Sequence, residues 1–235
     1  MYKAVIFDLD DTLYDYESVH KAATERLRSF ACDRLGVADE EFDRAFSLAR
    51  AEAKSLLDGT GASHNRMVYC QKTLENLGRS PVDGALEMYD CYWNSMLSGM
   101  RLRDGVVSLL ECLRADGVKT AVCTDLTAHI QHRKIRQLGL APYIDVLVTS
   151  EEAGAEKPDG RIYELTLRKL RKLDGTITAG DCLFVGDDEV KDVDGPRLFG
   201  MEAVMFTDVK NLESFIYRRR CNCKDLVASG REFRC

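Results

Sequence analysis

Residues 4–13, Ala-Val-Ile-Phe-Asp-Leu-Asp-Asp-Thr-Leu, set three carboxylates, Asp8, Asp10 and Asp11, directly behind a short apolar run. The run Ala4 to Phe7 is too short for a helix, and its Val-Ile-Phe content suits a buried strand. Carboxylates at the end of a buried strand are costly unless something neutralises them. A divalent cation with oxygen ligands is the simplest neutraliser. The spacing therefore points to Asp8 and Asp10 holding Mg²⁺ at the edge of a parallel sheet. The alternative, on this stretch alone, is a solvated turn after a strand.

The rest of the chain must position that edge. Residues 17–100 carry helical periodicity throughout. Val19, Ala22, Ala23, Leu27, Phe30 and Ala31 make a first stripe, closed by Gly36. Asp39 is placed to cap a second helix, whose stripe runs through Phe42, Ala45, Phe46, Ala49, Ala53, Leu56 and Leu57. A third helix includes Met67, Val68, Leu74 and Leu77. Ser80-Pro81 has the order that opens a fourth, continuing through Leu86, Tyr89, Trp93, Met96 and Leu97.

From about residue 101, helices and strands alternate. Strands are expected at 120–124, 146–149, 182–185 and 203–206, with helices at 106–113, from Thr127, from Lys157-Pro158-Asp159, and at 195–199. Such alternation implies right-handed crossovers and a parallel sheet. The predicted fold is α/β: a Rossmann-like parallel sheet interrupted after its first strand by an all-helical insert. The core comprises 1–15 and 101–235, and the insert 16–100.

Composition excludes little. A net charge of −6 and a pI near 5.4 argue against nucleic-acid binding, which needs a basic face. No apolar run is long enough to span a membrane, and no secretory signal is visible, so a cytoplasmic protein is expected. The nine cysteines are odd in number, and Cys221-Asn-Cys223 lacks the second pair of a zinc site, so neither a disulfide framework nor a zinc centre is indicated. The segment from Tyr217 to Cys235 is basic and cysteine-rich. The oligomeric state is not encoded in any visible pattern.

In a parallel sheet the strand ends share one edge, where ligands bind. Each expected strand end here carries chemistry: Asp8, Asp10, Asp11 and Thr12; Thr124 and Asp125; Lys157; and Gly186, Asp187, Asp188 and Asp192. A carboxylate beside a cation can attack phosphorus. The transferred phosphoryl group then needs a hydroxyl, a lysine and a metal around it. Thr124 offers the hydroxyl, Lys157 the fixed positive charge and the acidic pair the metal site.

In these features the chain resembles the haloacid dehalogenase superfamily over about residues 1–207. Four motifs carry the resemblance: Asp8-Leu-Asp10-Asp-Thr12, Val122-Cys-Thr124, Glu156-Lys157-Pro158-Asp159, and Gly186-Asp187-Asp188-Glu-Val-Lys-Asp192. The resemblance is to the phosphatase branch, with a helical cap of the first type. It implies that Asp8 is the nucleophile and that Asp10 protonates the leaving oxygen and then activates water. It implies that Thr124 and Lys157 hold the phosphoryl oxygens. Mg²⁺ would lie between Asp8, the Asp10 backbone carbonyl and Asp187. Asp188 or Asp192 would be a further ligand, with Asp192 favoured over a capping role.

The implied activity is Mg²⁺-dependent hydrolysis of a small phosphomonoester, a nucleotide or sugar phosphate. A phosphosugar mutase and a non-catalytic scaffold are the alternatives. Asp10 disfavours dehalogenation, and cap lysines Lys21, Lys54 and Lys72 suggest no Schiff base. Asp125, counted with the phosphate-binding positions Thr124 and Lys157, departs from the Asn that many members carry there. It points away, pairs with a cation, or sits protonated. Asp11 is expected to stay out of the chemistry, and Thr12 to order the loop through backbone bonds. His20, His64, His129 and His132 show no metal-ligand spacing. The residues that set specificity are expected near the opening, with Tyr14 and Tyr16 as candidates.

Overall fold

The structure, a computed structural model, describes residues 2–221. Five strands, β1 (Ala4–Phe7), β2 (Lys119–Thr124), β3 (Val146–Thr149), β4 (Cys182–Gly186) and β5 (Glu202–Met205), form one sheet in the order β3-β2-β1-β4-β5. Every pairing is parallel. β1 is central, and all its residues are buried, as a sheet covered on both faces requires. Val5 and Phe7 face one apolar layer with α5 (Val106–Ala115) and α6 (Ala128–Gln137). Ala4 and Ile6 face another with α8 (Gly160–Leu173), which follows the short α7 (Ser150–Ala153).

Four helices, α1 (Tyr16–Leu35), α2 (Asp39–Leu56), α3 (Arg66–Asn76) and α4 (Ala85–Gly99), lie in the sequence between β1 and α5. Leu27, Phe42, Phe46, Leu74, Trp93 and Met96 are buried among them. The start of α1 is tied to the strand-end loop. The Asp11 carboxylate accepts hydrogen bonds from the Tyr16 and Glu17 amides at 2.9 and 3.1 Å, and Asp15 accepts one from Ser18 N at 3.2 Å.

Several local expectations are corrected. Asp39 is the first residue of α2 and Ala38 its flank, so Asp39, Glu40 and Glu41 meet the positive end of the helix dipole instead of capping it. Ser80-Pro81 opens a turn. α4 begins only at Ala85, because Gly84 adopts φ 136°, outside helical geometry. Leu56 and Leu86 face solvent, 71% and 59% exposed, so the buried stripe of α2 ends at Ala53. Residues Glu189–Asp194 wind as a π-helix straight into α9 (Gly195–Leu198). α10 (Val209–Cys221) covers the start of the basic tail, and Cys223 and Cys235 lie outside the described residues.

The insert meets the core through the 59–65 loop. Glu156 N donates to the Gly59 carbonyl at 3.0 Å, and Ser63 Oγ donates to Glu156 Oε1 at 2.6 Å. A Cβ on Gly61 would sit 2.6 Å from Glu151 N, so only glycine allows this approach. Among the described residues no helix is long and apolar enough to cross a membrane.

His20 on α1 is half-buried, and its Nδ1 lies 2.7 Å from Tyr92 Oη. Burial, then Arg66 and Arg50, lowers its pKa from 6.5 to about 4. Above pH 6.5 neither the folded nor the unfolded chain protonates it. As pH falls through the window between these values, the unfolded chain binds a proton that the folded chain refuses, so this group's contribution to stability is lost. Denaturant midpoints measured from pH 7 to 4 are therefore expected to fall less steeply in His20→Gln than in the wild-type protein.

Candidate active site

The ends of β1, β2 and β4 open into a cleft of about 220 Å³, lined among others by Asp8, Asp10, Thr124, Lys157, Asp187 and Asp192. Asp8, 6% exposed, stands at the end of β1, where its amide donates to the Val185 carbonyl at 2.8 Å. Lys157, 4% exposed, reaches it from the loop before α8. Its Nζ donates to Asp8 Oδ1 at 2.6 Å and to Asp192 Oδ1 at 2.7 Å. Burial works to lower the lysine pKa, but Asp8, Asp192 and Asp125 outweigh it and hold the ammonium well above the usual range. Burial pushes the Asp8 carboxyl well up, opposed by Lys157.

Asp8, Asp187 and Asp192 each offer an oxygen atom, and these atoms lie within 4.8 Å of one another. Burial, then Asp192 and Asp11, raises the Asp187 pKa. Carboxylates pressed together in this way make a hard-oxygen donor set that suits a divalent cation such as Mg²⁺. Asp192 reaches the cluster because Gly186 has no side chain: a Cβ there would lie 2.3 Å from the Asp192 carboxylate. Asp192 Oδ2 also accepts from Asp188 N at 3.1 Å. Asp188 turns to the Val190 and Lys191 amides at 2.9 and 3.0 Å, capping the π-helix.

The Asp10 side chain lies outside that cluster. Its oxygens accept from Lys134 Nζ at 2.8 and 2.6 Å and from Tyr14 Oη at 2.7 Å, which turns the carboxylate away from the metal role expected of it. Burial lowers the Lys134 pKa, and Asp10 opposes the shift. Thr12, expected to bond backbone, donates its hydroxyl to Asp187 Oδ1 at 3.2 Å, because the two strand-end loops abut. Thr124 Oγ1 accepts from Gln131 Nε2 at 2.9 Å. Asp125 is paired with a cation: Oδ2 holds Lys191 Nζ at 2.9 Å, and Oδ1 accepts from Lys157 N at 3.0 Å.

Gln131, Lys134 and Arg66 had no place in the sequence expectations. All three left a signal in helical periodicity. Gln131, Lys134, Ile135 and Leu138 fall at i, i+3, i+4 and i+7 around α6, so two polar residues share its buried face. So did Arg66: Arg66, Tyr69, Cys70, Thr73 and Leu74 fall at i, i+3, i+4, i+7 and i+8 along α3, so the arginine shares that helix's buried face.

A model of the haloacid dehalogenase-like hydrolases matches residues 2–200. The chain is 38% identical to the ribulose-1,5-bisphosphate 5-phosphatase of Halopiger xanaduensis, over 88% of this chain and 85% of the relative. It is 28% identical to the glyceraldehyde 3-phosphate phosphatase of Methanocaldococcus jannaschii, covering 87% and 84%. Among solved structures, the 2-haloacid dehalogenase of Pseudomonas syringae pv. Tomato superimposes with a TM-score of 0.70 at 26% identity, covering 87% of this chain and 86% of that one. The chain belongs to the haloacid dehalogenase-like hydrolase family. It is a hydrolase of the phosphatase kind that its relatives represent.

The Gly186 contact is testable by direct binding. Gly186→Ala is expected to displace Asp192 and weaken Mg²⁺ binding, measured calorimetrically, by about tenfold to a hundredfold, with far-UV circular dichroism retained.

Proposed function

We propose that the protein is a Mg²⁺-dependent phosphatase of small sugar phosphates, working through an aspartyl-phosphate on Asp8. One observation carries this reading: a buried strand-end carboxylate, Asp8, shares Lys157 with Asp192 and lies beside Asp187, while a second carboxylate two residues on is held apart by its own lysine. That division separates an attacking group from a proton-transferring group. The relatives named for ribulose 1,5-bisphosphate and glyceraldehyde 3-phosphate support a sugar phosphate as substrate.

Asp8 attacks phosphorus. The bond to the leaving oxygen breaks, and Asp10 delivers a proton to that oxygen. Water then attacks the phosphorus of the aspartyl-phosphate, Asp10 takes its proton, and phosphate leaves with Asp8 restored. Lys157 and the Thr124 hydroxyl, oriented by Gln131, face the phosphoryl oxygens as charge develops. Lys157 also keeps Asp8 and Asp192 from repelling each other. Asp125 does not compete for the phosphoryl group, because Lys191 and the Lys157 amide occupy its oxygens. Asp8, Asp187, Asp192 and the Asp10 carbonyl would hold Mg²⁺, which would supply positive charge against the transferred group. The buried thiols of Cys70, Cys123 and Cys182 fit a reducing, cytoplasmic setting.

Release of phosphate from glyceraldehyde 3-phosphate and p-nitrophenyl phosphate tests the reading. Chelation with EDTA should abolish it and added Mg²⁺ restore it. Asp8→Asn should lower kcat by about three orders of magnitude or more. Full activity in Asp8→Asn would overturn the mechanism.

Lys134 tests the placement of Asp10. Lys134→Met should lower kcat by about tenfold to a hundredfold with KM little changed, since it unlatches the proton-transferring carboxyl without touching the phosphoryl site.

A further inference from the structure

Three cations are buried among the described residues, and their partners differ in kind. Lys157 holds Asp8 and Asp192, and Lys134 holds Asp10. Arg66, at the start of α3 and 6% exposed, pairs with no carboxylate among the described residues. Its Nη1 donates to the His64 carbonyl at 2.7 Å, and its Nη2 donates to Tyr16 Oη at 2.5 Å and Tyr92 Oη at 3.5 Å. Its guanidinium lies over the rings of Tyr69 and Tyr92, each centroid 5.4 Å away.

A buried charge without a counter-ion is expensive, and ring faces and hydroxyls offset only part of that cost. Arg66 nevertheless lines the same cleft as Asp8 and Lys157, with Tyr16 and His64 beside it. Its guanidinium therefore meets a volume in which a ligand anion could stand. The fork geometry of arginine suits the two-oxygen face of a phosphate or carboxylate. The phosphoryl group being transferred already has its own cation in Lys157, in the core. Arg66 belongs to the insert, on α3.

We propose that Arg66 is a specificity subsite for a second anionic group, a phosphate or carboxylate, at the end of the substrate away from the transferred phosphoryl. This rests on the phosphatase reading. The substrate class is then a doubly anionic phosphomonoester. The bound anion supplies the counter-charge that the fold withholds from Arg66. Tyr16 Oη, already bonded to the guanidinium, fixes its direction.

The experiment compares kcat/KM for three short phosphomonoesters on one carbon skeleton: 1,3-propanediol bisphosphate, 3-phosphopropionate and 3-hydroxypropyl phosphate. The wild-type protein should prefer at least one doubly anionic compound over the hydroxyl compound by about tenfold to a hundredfold, the worth of a charge-assisted contact. Which of the two is preferred identifies the second group as phosphate or carboxylate. Arg66→Gln should collapse the ratio towards unity, chiefly through the KM of the doubly anionic substrate, and Arg66→Lys should retain part of it. Should Arg66→Gln not fold, the wild-type ratio and Arg66→Lys decide. A wild-type ratio near one, or equal losses on all three substrates, overturns the subsite while leaving the phosphatase reading intact. Absence of any phosphate release by the wild-type protein overturns both.

Discussion

The ammonium of Lys157 between Asp8 and Asp192 is the contact on which the site depends. Both carboxylates and the lysine are almost completely buried, so each charge has lost its water and exists only because the others are present. Removing one partner would leave an uncompensated charge in a dry place. The surrounding structure is arranged to hold that balance. The Lys157 amide is gripped by Asp125, and Asp125 is neutralised by Lys191. Gly186 leaves room for Asp192 to enter from the π-helix.

The loop after β1 distributes its side chains in the same way. Asp8 faces the cleft, Asp10 is latched by Lys134 and Tyr14, Asp11 caps α1, and Thr12 bonds Asp187. Four polar residues within five positions thus each find separate partners. A buried polar network specifies geometry only when its members are satisfied, and this one is satisfied largely by long-range contacts. The Asp11 contact joins this loop to the first helix of the insert, and the Gly59–Glu156 and Ser63–Glu156 bonds join the insert to the loop bearing Lys157. The insert and the reacting groups are therefore mechanically continuous, and a cap that admits substrate and excludes water acts through such a connection.

The insert also contributes charge and not only cover. Arg66 is held by aromatic faces and hydroxyls, with no acid paired to it among the described residues, whereas Lys134 pairs with Asp10 and Lys157 with Asp8 and Asp192. The buried core lysines are paired with carboxylates before any ligand arrives, and Arg66 has no such pairing among the described residues. On the proposed reading, catalysis and selectivity fall on different parts of the chain, the core keeping the reaction geometry and the insert reading the rest of the ligand.

Local pattern alone determined the fold class. The buried runs ending in acids marked the strands, helical periodicity marked the insert, and the alternation after residue 101 implied the parallel sheet that is observed. It also marked which residues stand at strand ends, because a buried strand of four to six residues cannot hide its first polar neighbour. Pattern could not assign partners. That Asp10 meets Lys134, that Thr12 meets a carboxylate and not backbone, that Asp188 caps while Asp192 joins the cluster, and that Arg66 meets tyrosines were decided by tertiary structure. The physical reason is distance along the chain. A cap or a stripe is settled within a few residues, whereas the Asp10–Lys134 and Asp8–Lys157 pairs span 124 and 149 positions and exist only once α6 and the loop before α8 have packed over the end of β1.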